Sequence, residues 1–321
     1  MRSLRRSVAV LLVLVPALLL AALPIRAASP SPGPGGLPDL RAPGPYAAGL
    51  RNVDVVTPDG EFGALVRYPA AAPGGTDAHL AEGAWPLVIF AHGRLAPPEL
   101  YDATLAHLAT WGYLVIAPRT AGGPVSPHDL YARDLLATID WAETESTDPA
   151  SWLAGAVAPG PVALAGHSMG GGASVLAGAD PRIGALVLLA PAETRPSATA
   201  AAAAITAPVL ILAGDHDAIT PPAIHALPIR DGLTGAMSQL RMLAGGSHCG
   251  FTDLDGAGLA GELARAACDS GPMPVAEQLA RTNAAAVAWL GRTLRGDPSL
   301  APLAEGAAGD EQERIELRLP G

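Results

Sequence analysis

Lysine is absent from this sequence. All twenty basic residues are arginine, so imine chemistry on a lysine amine and the lysine of a phosphate-cradling P-loop are both excluded. Cysteine occurs twice, as Cys249 and Cys268, and neither a Cys-x-x-Cys nor a His-x-x-x-His spacing exists anywhere in the chain. No metal site and no cofactor is therefore expected. Charged residues make up 16% and the formal net charge is −10, a balance that disfavours nucleic acid as a partner.

What is present begins with an export pattern. Arg2, Arg5 and Arg6 precede an apolar run from Val8 to Leu23, and Arg26-Ala-Ala-Ser29 follows. This is the charged, apolar and small-residue order of a signal peptide, cleaved near Ala27 or Ala28. The alternative is an uncleaved anchor, but Pro16 and Pro24 interrupt a stretch already short for a bilayer. Loss of Arg2, Arg5, Arg6 and Arg26 with the leader leaves a charge of −14.

The reading divides the chain into a signal peptide over 1–28, a Pro/Gly-rich linker over 29–48, a catalytic domain over 49–296 and a C-terminal tail over 297–321. The location is extracellular or periplasmic, with no stable membrane insertion, and the chain is read as a monomer. In an oxidising compartment Cys249 and Cys268 are expected to pair, the alternative being two buried thiols. Closing such a loop contributes about 3 kcal/mol in the chain-entropy picture.

Hydrophobic patterning sets the fold class. Arg51 to Val56 and Phe62 to Tyr68 flank Thr57-Pro-Asp-Gly60, which predicts a leading hairpin. Short, wholly apolar runs then recur at Leu87–Ala91, Tyr113–Ala117, Pro161–Ala165, Ala185–Ala190 and Pro208–Ala213, with a weaker one at Gln239–Leu243. Helical spacing appears at Pro98–Trp111, Leu130–Ala142 and Val275–Leu294. Strands this apolar are covered on both faces. The prediction is an α/β fold with a mostly parallel, doubly wound sheet, whose chemistry sits just after the strands.

After the Pro161–Ala165 strand comes Gly166-His-Ser-Met-Gly170, a strand-to-helix turn with the nucleophile-elbow pattern. Its glycines leave room for a turn too tight for Cβ atoms, with Ser168 projecting from it. Asp215 and Asp217 follow the Pro208–Ala213 strand, and His248 lies on a glycine-flanked loop after the last strand. Asp217 is chosen as the acid, with Asp215 left as a turn residue bonding its own backbone. The order Ser168, Asp217, His248 fits an α/β hydrolase. Backbone amides of Arg94 and Met169 are the candidates for an oxyanion hole, and His92 is read as packing beneath that loop. His79, His107, His128 and His225 are read as surface or packing residues, and His167 and His216 as non-ligating.

Together, Phe90-Ala-His-Gly93, Gly112-Tyr-Leu-Val-Ile-Ala-Pro118, Gly166-His-Ser-Met-Gly-Gly-Gly172, Gly214-Asp-His-Asp-Ala-Ile-Thr-Pro221 and Ser247-His-Cys resemble one branch of the α/β hydrolases. It is the cutinase-like, dienelactone-hydrolase-related and chlorophyllase-like branch, which includes polyester hydrolases. The resemblance implies a serine esterase with its acid at Asp217 and its base at His248, acting on small or polymeric esters. Its polyester-degrading members carry an aromatic beside the first oxyanion donor and a Trp after the next strand. Here those positions are Arg94 and Ala192. Tyr101 or Phe251 is the aromatic left to compensate. Only about seventeen residues separate the two strands between which many lipases insert a cap, so an open site is expected. Acyl transfer and peptide cleavage use the same triad and remain alternatives, with a non-catalytic binding protein as a third.

Overall fold

The computed structural model describes residues 37–120, 127–254, 261–262, 266, 268–306 and 313–320. The signal peptide expected over 1–28 and the first part of the linker lie outside the described residues.

The apolar runs become strands because each is buried on both faces. β3 (Leu87–Ala91), β4 (Leu114–Pro118), β5 (Val162–His167), β6 (Ile183–Leu189), β7 (Val209–Gly214) and β8 (Ser238–Leu243) pair in parallel, in the order β4-β3-β5-β6-β7-β8. The hairpin β1 (Ala47–Thr57) and β2 (Gly60–Ala70) joins antiparallel at the β4 edge.

Alternation along a strand separates two cores. Leu87, Ile89 and Ala91 face one layer with Tyr131, Leu135, Ile139 and Val175, from α2 (His128–Thr147) and α3 (Met169–Ala177). Val88 and Phe90 face the other with Leu105, Leu108 and Trp289, from α1 (Asp102–Thr110) and the long closing helix over Val275–Thr293. This is an α/β-hydrolase sheet with helices on both sides. Between β6 and β7 stands only a short helix, α4 (Ala198–Ala202), followed by α5 (Ala226–Gly232) after β7, and among the described residues no cap domain covers the carboxyl ends of the strands. The Val275–Thr293 helix is α6 below. No helix among the described residues is long and apolar enough to cross a membrane.

Both ends of the domain differ from the sequence reading. The described part of the linker packs on the fold: Leu40 is buried, Trp111 Nε1 donates to the Ala42 carbonyl at 3.1 Å and the Tyr46 amide to Thr110 O at 3.1 Å. Hydrogen bonds between its backbone and the end of α1 hold it, which apolar periodicity does not report. The tail returns as a ninth strand, β9 (Glu313–Arg318), antiparallel to β8. It brings Glu313 between Arg241 and Arg281, at 3.4 Å from each.

Candidate active site

The nucleophile turn forms because the residues around Ser168 leave it no other path. Ser168 has φ 56° and ψ −122°, a region costly for a residue with a side chain. Three hydrogen bonds hold it there: its amide donates to Leu189 O at 2.9 Å, and its carbonyl accepts from Gly172 at 3.1 Å and Ala192 at 2.9 Å. The glycines are needed for close approach. A Cβ on Gly170 would lie 2.1 Å from the Ala91 carbonyl oxygen, and one on Gly166 2.6 Å from that of Gly170.

The structure brings together the three residues singled out by chain order. His248 Nε2 lies 3.0 Å from Ser168 Oγ, and His248 Nδ1 lies 2.8 Å from Asp217 Oδ2. Asp217 and His248 are buried, whereas Ser168 is partly open. Asp217 Oδ1 accepts from the amides of Ile219 at 2.9 Å and Thr220 at 2.6 Å, so the second oxygen is turned toward the imidazole. Burial alone would raise the Asp217 pKa, but the bonds from His248 and Thr220 outweigh it and hold the carboxyl below its ordinary value.

Among the described residues, the Asp215 side chain makes no bond to the backbone of its own turn. Its Oδ1 accepts from the Gly245 amide at 2.6 Å and meets His216 Nδ1 at 2.7 Å, away from Ser168's imidazole partner. The Asx turn belongs to Asp217 itself, because its side chain is the one that points back over the loop.

Thr220 was not singled out by sequence. Its hydroxyl lies 2.9 Å from Asp217 Oδ2, 2.9 Å from His248 Nδ1 and 3.1 Å from the Ala190 carbonyl, so it ties the acid loop to the end of β6. A Thr three residues after a carboxylate was the available signal. Of the oxyanion candidates, the Met169 amide is the first of α3, and no group among the described residues accepts from it or from the Arg94 amide. Gly93 sits against the elbow, since a Cβ there would lie 3.4 Å from Ser168 Cβ.

Neither aromatic left to form a clamp is exposed. Tyr101 is buried: its hydroxyl accepts from the Gly93 amide at 3.0 Å, leaving its proton for His167 Nδ1 at 2.9 Å. Phe251 is buried with its ring centroid 5.8 Å from that of His167, which in turn lies 4.5 Å from the ring of His248. These rings build the floor under the site because their bulk is needed beneath a glycine-rich turn. His128 and His225 also have defined work, each accepting a backbone amide of the loop after β6, from Arg195 at 3.1 Å and from Glu193 at 2.9 Å.

Burial lowers the His92 pKa, and it lowers that of His167 well below its ordinary value, with repulsion from His248 adding to the effect. Both resist protonation in the folded chain more than in the unfolded chain, which protonates them near pH 6.5. Below that pH the unfolded state binds more protons, so stability falls as pH falls and is level above it. Each buried imidazole adds a slope of up to about 1.4 kcal/mol per pH unit. Urea midpoints should therefore drop between pH 7.5 and 5, and less steeply in His167→Gln. A level profile over that range would contradict this.

A partly open serine joined through an imidazole to a buried carboxylate, at the carboxyl edge of this sheet, defines the class as an α/β hydrolase. A PET hydrolase-like family model matches residues 30–260, and the chain belongs to that family. It is 28% identical over 215 residues to a protein named bis(hydroxyethyl) terephthalate hydrolase from Streptomyces coelicolor, covering 65% of this chain and 62% of that one. The chain thus spans less than two thirds of that relative's length. It is also 28% identical over 263 residues to a cutinase from Thermobifida fusca, covering 77% of each. A second protein from that organism, named cutinase cut1, is 29% identical over 260 residues, covering 77% of this chain and 73% of its own length.

Proposed function

We propose that this protein is a secreted, monomeric serine hydrolase that cleaves carboxylic esters through an acyl-enzyme on Ser168. The observation that carries the reading is the continuous contact from Ser168 Oγ to His248 Nε2 and from His248 Nδ1 to Asp217, at 3.0 and 2.8 Å. His248 takes the Ser168 proton as Oγ attacks the ester carbonyl, and returns it to the leaving alcohol. Asp217 fixes the imidazole with its proton on Nδ1 and stabilises the cation that forms. The Met169 and Arg94 amides hold the oxyanion. A water activated by His248 then releases the acid.

Substrate class follows from the surroundings. Leu95, on the loop with Arg94, is 62% exposed, and Ile219, two residues beyond Asp217, is 46% exposed. Apolar side chains on an uncapped site fit bulky or lipid-like esters. Polyester hydrolysis is the second reading, favoured by the family and by the relative named for a terephthalate ester. Ala192 and Arg94, where polyester-degrading members place aromatics, weigh against it.

A fluorophosphonate is expected to label the folded chain once, on Ser168, and p-nitrophenyl butyrate to give a burst of phenolate. Folded protein that takes no label would end the proposal. Bis(hydroxyethyl) terephthalate and polyester film, run beside the soluble ester, separate the two readings.

A further inference from the structure

Asp217 and His248 belong to loops that leave different strands, β7 and β8, so the bond between them depends on how those loops are held to one another. Asp215 joins them near the strand ends, through the Gly245 amide, and a second carboxylate outside the triad joins them beside the reacting residues. Asp269 Oδ2 accepts from the amide of Ala218, the residue after Asp217, at 2.9 Å, and from the amide of His248 itself at 3.1 Å. Its other oxygen, Oδ1, accepts from Cys249 at 3.2 Å.

Covalent structure places this carboxylate. The Cys249–Cys268 disulfide, with Cα atoms 5.7 Å apart, joins the residue after His248 to the residue before Asp269. On the other side of the loop, Gln278 of α6 accepts from the Ser247 amide at 3.0 Å and donates to the Ser247 carbonyl at 2.8 Å. Main chain on both sides of the imidazole is thus tied down, but of these groups it is Asp269 that also grips the acid loop.

We propose that Asp269 is a positioning residue of the Ser168–His248–Asp217 array, setting the separation of Asp217 and His248 by binding the main chain of both loops through one oxygen. The inference rests on the triad reading above. Amide bonds to a carboxylate are charge-assisted and short, and here they end on the backbone of the imidazole residue and on that of the acid's neighbour. Any displacement passes directly to the groups that move the proton. A misplacement of about 1 Å in such groups costs up to about a hundredfold in rate.

The test compares Asp269→Ala with Asp269→Asn. The Asn oxygen can take the place of Oδ2 and keep the Ala218 and His248 amides paired, giving up only the bond from Cys249, which an NH2 group cannot accept. Asp269→Ala is expected to lower kcat about tenfold to a hundredfold with KM within about twofold, at a temperature where melting curves show it folded, and Asp269→Asn to recover most of the loss. The second readout is the low-field proton resonance of His248 Nδ1 bonded to Asp217, expected to broaden or vanish in Asp269→Ala and to persist in Asp269→Asn. That resonance reads the contact whether or not any ester is cleaved. An unlabelled, inactive parent chain would therefore sink the esterase reading alone. A folded Asp269→Ala with unchanged kcat and resonance, or with only a lowered melting temperature, would overturn the positioning role.

Discussion

Ser168→Ala is expected to lower ester turnover about a millionfold and Asp217→Asn about ten-thousandfold, while Asp215→Asn stays close to the parent chain. The gap between the two aspartates follows from their hydrogen bonds. In Asp217→Asn the loop amides of Ile219 and Thr220, which meet Oδ1 at 2.9 and 2.6 Å, demand the amide oxygen on their side. The NH2 group is thereby forced to face His248 Nδ1. Nδ1 then becomes the acceptor, the ring proton moves to Nε2, and the imidazole can no longer take the Ser168 proton. Asp215→Asn keeps an oxygen for the Gly245 amide and touches no proton in transit. Saturating kinetics on p-nitrophenyl butyrate, with intact mass after fluorophosphonate treatment, would check all three. An active Ser168→Ala, or an Asp215→Asn slower than Asp217→Asn, would contradict the roles proposed for them.

Gly170→Ala is expected to destabilise the fold by about 3 kcal/mol or more, lowering the melting temperature by roughly 10 °C for a domain of this size. The added methyl would lie 2.1 Å from the Ala91 carbonyl oxygen and 2.5 Å from that of His92. Both are backbone atoms at the end of β3, so no side-chain rotation relieves the clash. To make room, α3 must withdraw from the loop that carries Arg94, which separates the Met169 and Arg94 amides. Activity should therefore fall even in the fraction that remains folded. Gly63→Ala is the control, because its nearest neighbour would be 3.8 Å away. Equal melting temperatures for the two variants would show that the elbow gives more easily than this packing allows.

The parts of the molecule legible in the sequence were those whose cause is local. Leu87–Ala91 read as a strand because a run of that length with no polar residue has to be buried on both faces. Ser168 was legible because a strand-to-helix turn this tight needs glycine, and glycines leave a pattern. β9 was not. Glu313-Arg-Ile-Glu-Leu-Arg318 has no apolar run, and it is a strand because Arg241 and Arg281 wait for Glu313 on the far side of a chain reversal. Tyr101 and Phe251 were visible as aromatics, but nothing local says that a ring lies under a turn rather than over a substrate. Asp269 is the extreme case. Its partners, Ala218 and His248, belong to two other loops, and the disulfide that places it could be expected from two cysteines while its neighbour's bonds could not.

The antiparallel pairing of β9 with β8 also closes one edge of the sheet. Every residue of β8 is buried, so a chain lacking β9 would present a strand with a free row of N–H and C=O groups, the template on which chains add to one another edge to edge. β9 replaces that surface with a strand alternating glutamate and arginine on its solvent side, Arg314 and Arg318 among them. The same six residues therefore cover an edge of the sheet that would otherwise be open to pairing.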